Sequence, residues 1–261
     1  MGKISITFGE VCLKCRHRKL NKYDSCLECF QGFLFSTDLE GSCPRCFSPR
    51  LEQYRGYDQC YDCYLQVINN EYHLDGLIAI SYEIQRDFGY CLHAYKGSGI
   101  HIKPYMAFPL QVLVAKWLTV HYDCIETAFN FNIDYITHIP GHAGKLINTY
   151  LHPYQVKGDL IEEVNPHKRY STNEGERKFD PDRFKVNKSY NVESANILLF
   201  DDVYTTGSTI HSAASSLKEA GSNKVIGLVL ARHVGNSDLI KQVLNNKKDF
   251  SINDCPYCLP F

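Results

Sequence analysis

The chain has 261 residues, 44% of them hydrophobic and 13% aromatic, with a formal net charge of -1. That length carries one domain of ordinary size plus something smaller, and the composition suffices for a packed core. The balanced charge excludes a globally basic nucleic-acid binder, so basic patches have to be sought locally.

The N-terminal MGKISITFGEVC shows neither a long apolar segment nor a small-residue cleavage site, which points to a cytoplasmic protein. Ten of the twelve cysteines fall in five CxxC pairs: Cys12/Cys15, Cys26/Cys29, Cys43/Cys46, Cys60/Cys63 and, far away, Cys255/Cys258. Without a secretory signal, thiolate ligands explain these pairs better than disulfides. A two-residue spacer turns both sulfurs of a knuckle toward one ion, and two knuckles complete the tetrahedral site that Zn²⁺ favours. Four knuckles in one short region therefore imply two structural zinc ions. Pairing neighbours gives Cys12, Cys15, Cys26 and Cys29 as one site and Cys43, Cys46, Cys60 and Cys63 as the other, with 10 and 13 residues between knuckles. A crossed pairing satisfies the same spacing. Neighbour pairing is preferred because 47–59 (FSPRLEQYRGYDQ) reads as a small ribbon hairpin joining its own two knuckles.

Residues 1–66 thus form a zinc-ribbon-like module that would have a marginal core without its metals. Between the first knuckles lie Lys14, Arg16, His17, Arg18, Lys19 and Lys22, a cluster suited to nucleic-acid phosphates, with Tyr23 and Phe30 available for stacking. A solvated loop on a zinc module accounts for it equally.

Residues 67–240 read as a second domain. Strand-like pieces run through SYEIQRDFGYCLHAYKGSG, followed by a turn at 96–99 and a helix to about Val120. The greasiest part of that helix, MAFPLQVLVAKWLTV, is broken by Pro109, Gln111 and Lys116 and is too short for a membrane span. Tyr82, Phe88, Tyr90 and Tyr95 either stack on a base or fill the core. IDYITHI at 133–139 is a strand ended by PGHAGK, and 159–164 suggests another.

Polar, charged residues fill 165–191, too long a stretch for an ordinary connector. They read as a lid whose His167, Lys168, Arg169, Arg177 and Lys178 could close over a diphosphate, or as a solvated connector. The apolar run 197–200 is a strand buried on both faces; a helix over 208–220 stopped by Gly221 and a strand over 225–230 follow. Strand, loop, helix and strand in series indicate a parallel sheet covered by helices, an α/β fold.

Chemistry concentrates where the first of these strands ends, in ILLFDDVYTTGST. Ligands of open α/β sheets bind beyond the carboxyl ends of strands. Gly207 permits close backbone approach, a helix N-terminus favours an anion, and Thr205, Thr206, Ser208 and Thr209 offer hydroxyl donors, which together make a phosphate cradle. Asp201 and Asp202 would repel that phosphate, so they should face something neutral or cationic, and ribose hydroxyls fit.

This stretch resembles the signature of the type I phosphoribosyltransferases, which bind 5-phosphoribosyl 1-diphosphate (PRPP) with Mg²⁺. The order of features over about 10 to 234 resembles the ComF branch (ComFC and GntX-like proteins): N-terminal knuckles, CLHAYKGSG, a strand ending ITHIP, then DDVYTTGST. That family has one four-cysteine site where this chain has knuckles for two. The resemblance implies a type I phosphoribosyltransferase fold, with PRPP held by Asp201, Asp202, Val203, Tyr204, Thr205, Thr206, Gly207, Ser208 and Thr209. Pro140, Gly141, His142 and Lys145 would contact the diphosphate. Asp201 and Asp202 take the catalytic positions of a transferase that releases pyrophosphate. The alternative implied by the same branch is a non-catalytic single-stranded DNA-binding protein of natural competence, with a nucleotide-sensing site; a homodimer is compatible with either.

The tail, 241–261, carries a CPYC pair without two local partners, which binds metal with a second chain, serves redox chemistry or does neither. Cys91 and Cys124 read most simply as buried small side chains.

Overall fold

The computed structural model of the protein describes residues 34–84, 87–96, 107–147, 156–164, 178–245 and 249–258. Its centre is a four-stranded, wholly parallel sheet in the order β1, β6, β5, β2, built from β1 (Gly76–Glu83), β2 (Tyr135–His138), β5 (Asn196–Tyr204) and β6 (Lys224–His233). β5 and β6 occupy the middle, and their near-continuous apolar sequences are buried on both faces, as a covered parallel sheet requires. Register is fixed by pairs such as Phe200 with Leu228 and His138 with Phe200, so the carboxyl ends of β2 and β5 lie side by side.

Helices flank the sheet. α3 (Ala107–Phe129) buries Leu110, Leu113, Val114, Trp117, Leu118, His121 and Ile125, a stripe at three- and four-residue spacing that defines one helical face. α5 (Ser208–Glu219) buries Ile210, Ala213, Ala214 and Leu217 against β5 and β6. None of the described helices is long and apolar enough to cross a membrane.

Four sequence expectations change. The stretch over 87–96, read as strand-like, is a helix, α2 (Asp87–Lys96), because Phe88, Cys91, Leu92 and Tyr95 recur at helical spacing and are all buried. α3 continues to Phe129, about two and a half turns beyond the expected end near Val120. The segment 47–59 contains no ribbon hairpin. It holds a single 3₁₀ turn, Glu52–Tyr54, and is organised by the guanidinium of Arg50, which donates to the carbonyls of Gly41, Ser42 and Tyr57. Finally, the second half of the presumed lid is structured: β4 (Phe184–Val186) pairs antiparallel with β3 (Ile161–Glu163), and this arm packs on α5.

The cysteine-bearing segment shares the sheet's core. Cys43, Cys46, Phe47 and Cys63 belong to the same apolar cluster as β5 and β6. Upstream, the hydroxyl of Thr37 donates to Ala79 and Phe35 accepts from the Tyr82 amide, which lays 35–37 along β1. α6 (Ser237–Asn245) completes a satellite cluster, Val243 packing with Tyr82, Ile84 and Val234.

Candidate functional site

The loop after β5 turns abruptly at Gly207, which lies in the left-handed region at φ +85° and caps α5. A Cβ there would collide with the Tyr204 ring and its hydroxyl, so both the backbone angle and the contact demand glycine. Asp201, Val203, Tyr204, Thr205, Thr206, Gly207, Ser208, Thr209 and Ile210 line one open depression. Thr205 and Thr206 are exposed, and the Thr206 hydroxyl lies 3.1 Å from that of Ser208. The first-turn amides of α5 have no carbonyl partners within the helix, so donors and the helix dipole converge on this depression.

The loop is braced from four directions. From α1 (Tyr61–Ile68), Gln66 donates its amide to the Thr206 carbonyl at 2.7 Å. Arg232, buried on β6, donates to the carbonyls of Tyr204 and Thr205 and through Nε to Cys46. Arg183 of the β3/β4 arm donates to the Thr209 hydroxyl at 3.1 Å and pairs with Glu163 at 3.0 Å, the guanidinium buried and the carboxylate largely covered. His211 lies within 3.2 Å of the Tyr204 hydroxyl, on the face of α5 away from solvent.

The two carboxylates have different surroundings. Asp202 is buried, accepts from the Tyr95 phenol and pairs with Lys96 at 2.7 Å, both residues belonging to the last turn of α2. Burial, and then the Asp202 charge, hold the Tyr95 phenol far above its usual range, so it stays a donor. Asp201 is only partly buried and accepts from the Asp202 amide at 2.8 Å. One carboxylate is thus neutralised by an ammonium before any ligand arrives, while the other borders the depression.

Pro140, Gly141, His142 and Lys145 lie in the turn after β2 and the first residues of α4 (Gly144–Ile147), at the same end of the sheet. His142 and Lys145 are exposed, and the His142 ring meets that of Tyr95 edge-on at 6.3 Å. The structure therefore gathers Asp201, Asp202, Thr205–Thr209 and the 140–145 turn at one end of the sheet, together with Tyr95 and Lys96, whose role the sequence reading missed. Among the aromatics proposed for stacking, Tyr82, Phe88 and Tyr95 are core residues, and Tyr90 is exposed. Of the lid cations, Lys178 is exposed; His167, Lys168, Arg169 and Arg177 lie outside the described residues.

Cys43, Cys46, Cys60 and Cys63 converge, with Sγ atoms 3.9 Å apart for Cys43 and Cys63 and 3.5 Å for Cys46 and Cys60. The Cys60 amide donates to the Cys43 sulfur at 3.3 Å. Four soft thiols at these separations can hold a tetrahedral Zn²⁺, and the neighbour pairing holds for this site. Cys12, Cys15, Cys26 and Cys29, with the basic cluster of Lys14, Arg16, Arg18, Lys19 and Lys22, lie outside the described residues. The CPYC pair, which lacks two local partners in the sequence, meets distant ones: Cys255 and Cys258 lie with His121 and Cys124 of α3. Cys124 is accordingly more than a small core side chain.

A scan against protein-family models finds no match to this chain, and a search of the curated proteins finds none.

Proposed function

We propose that the depression after β5 binds PRPP or a related ribose 5-phosphate with Mg²⁺, in the manner of a ComF-like member of the type I phosphoribosyltransferases. The observation that carries this reading is Gly207, left-handed at the start of α5, with Asp201 beside a rim of hydroxyls. The 5'-phosphate takes the amides and hydroxyls of 205–209, and Asp201 accepts from a ribose hydroxyl. Lys96 on Asp202 offsets that carboxylate's repulsion of the phosphate. The 140–145 turn, with the exposed His142 and Lys145, supplies the diphosphate end.

The residues fit the metal. Mg²⁺ prefers oxygen donors and is commonly held by one or two carboxylates plus substrate phosphates, and Asp201 is such a donor at the rim. When bound, the ion would neutralise the diphosphate as a leaving group. In transfer, an acceptor atom bonds to C1 of the sugar as the bond from C1 to diphosphate breaks, and the diphosphate departs with the electron pair through an oxocarbenium-like transition state. The chain's own part is to hold the phosphate, orient the ribose and place basic groups near the departing charge.

The test is calorimetric titration of the full chain with PRPP, ribose 5-phosphate and inorganic phosphate, each with Mg²⁺. The expected order of affinity is PRPP, then ribose 5-phosphate, then phosphate, with pyrophosphate release from PRPP assayed against a panel of nucleobases to identify an acceptor. Equal affinity for PRPP and inorganic phosphate would reduce the site to a bare anion cradle, and no binding of PRPP would remove the reading.

A further inference from the structure

The CPYC pair stands apart from the cradle, and its surroundings have the chemistry of a second metal centre. α3 presents His121 and Cys124, three residues apart and so neighbours on one face of the helix. Cys255 and Cys258 approach that face from the tail, and the four ligand atoms all lie within 4.8 Å of one another. Sγ of Cys258 is 3.3 Å from that of Cys255, 4.0 Å from that of Cys124 and 3.5 Å from Nδ1 of His121. A Zn²⁺ with bonds of about 2.3 Å to sulfur and 2.0 Å to nitrogen sets neighbouring donors about 3.5 to 3.8 Å apart. The observed separations bracket that range and exceed by far the ~2.05 Å of a disulfide.

A second observation, independent of the clustering, points the same way. Nε2 of the buried His121 lies 3.0 Å from the carbonyl oxygen of Ile252. A carbonyl only accepts, so Nε2 carries the proton, and Nδ1 keeps its lone pair on the side of the three sulfurs. Fixing the tautomer of a ligating histidine through a backbone carbonyl is how metal sites orient their imidazoles. The Cys255 amide also donates to the Cys258 sulfur at 3.3 Å, the contact made by the Cys60 amide to Cys43 in the first cluster.

We propose that His121, Cys124, Cys255 and Cys258 bind Zn²⁺ through three thiolates and one imidazole, and that this ion clasps the C-terminal tail to α3. Such soft donors select zinc over hard cations. What the clasp holds is Tyr257, the residue inside the CPYC turn. Its hydroxyl donates to the Leu77 carbonyl of β1 at 3.0 Å, and its ring packs on Phe129 at 5.0 Å and edge-on to Phe47 at 6.3 Å. Phe47 follows Cys46 of the first cluster, so the tail joins the end of α3, β1 and the first cluster through one ring.

The test is the zinc content of the full chain, purified under reducing conditions and weighed by native mass spectrometry, in the parent, in Cys258→Ser and in Cys255→Ser with Cys258→Ser. Each variant is expected to hold one zinc fewer than the parent. To separate loss of the ligand from loss of the tail's packing, the parent is also labelled with an alkylating reagent and mapped by peptide mass. Cys124, Cys255 and Cys258 are expected to resist labelling together until a strong chelator is added. An unchanged zinc count in the variants, prompt labelling of Cys255 and Cys258 in the zinc-loaded parent, or a resting disulfide between those two would each overturn the clasp.

Discussion

His211 shows how one residue can tie the cradle to solution conditions. Its Nδ1 accepts from the His73 amide at 3.2 Å, so Nε2 bears the proton and donates to the Tyr204 hydroxyl. Burial, with His73 adding to it, pushes the imidazole from 6.5 down to about 3. Between those values the unfolded chain binds a proton at His211 that the folded chain refuses. The contribution is therefore whole above pH 6.5 and is lost as pH falls toward 3, at up to about 1.4 kcal/mol per pH unit. Urea unfolding at pH 7.5 and 5.5 should show a larger loss in the parent than in His211→Gln; equal losses would mean that His211 takes up its proton without unfolding. At the same scale, Gly207 was legible as a permissive residue because its neighbours are hydroxyls and a helix start. Its collision partner, the Tyr204 ring, was not, since that ring's position depends on tertiary packing.

Among the elements, the β3/β4 arm does most to change the sequence reading. β4 lies in the polar stretch read as a lid or a solvated connector, and Arg183 anchors it: buried itself, the guanidinium holds the largely covered Glu163 of β3 and reaches Thr209 of the cradle. Ser216 of α5 adds a hydrogen bond to the Phe184 carbonyl at 2.9 Å. Removing one member of a buried ion pair strands the other charge, so Arg183→Ala should cost about 3 to 5 kcal/mol in denaturant unfolding. Replacing both members with apolar residues, Arg183→Met with Glu163→Leu, should cost less than the single change. A single variant within about 1 kcal/mol of the parent would show the pair to be solvated. A lone arginine in a hydrophilic stretch carries no sequence mark of such burial. α2 could have been recognised from Phe88, Cys91, Leu92 and Tyr95, but its aromatic content favours a strand reading on propensity alone. The opposite holds for β5, where a continuous apolar run between polar flanks leaves few alternatives.

For the molecule as a whole, four parallel strands bring their carboxyl ends together, and the candidate site is assembled there from segments far apart in sequence. The motif after β5 was legible in the sequence because its parts are contiguous. The partners of Asp202 were not, because Tyr95 and Lys96 precede it by more than a hundred residues and reach it only through α2. The same limit hid the meeting of CPYC with His121 and Cys124, whose spacing on α3 has no knuckle signature. Buried Arg232 connects the cradle to the cluster of Cys43, Cys46, Cys60 and Cys63, so the carboxyl end of the sheet and that cluster are one packed unit.

The central claim is that Asp201 receives a ribose hydroxyl while the neighbouring loop receives a phosphate. Asp201→Asn is the cleanest probe, because Asp202 is already committed to Tyr95 and Lys96 and its replacement would disturb α2 as well. Coulomb's law alone predicts that removing a negative charge beside a phosphate tightens binding. Loss of a charge-assisted hydrogen bond, worth about 1.5 to 3 kcal/mol, predicts the opposite, a fall of about tenfold or more. Calorimetric titration of parent and Asp201→Asn with PRPP and Mg²⁺ separates the two: weaker binding in the variant, with zinc content and unfolding midpoint unchanged, is the result predicted, and equal or tighter binding would contradict the account.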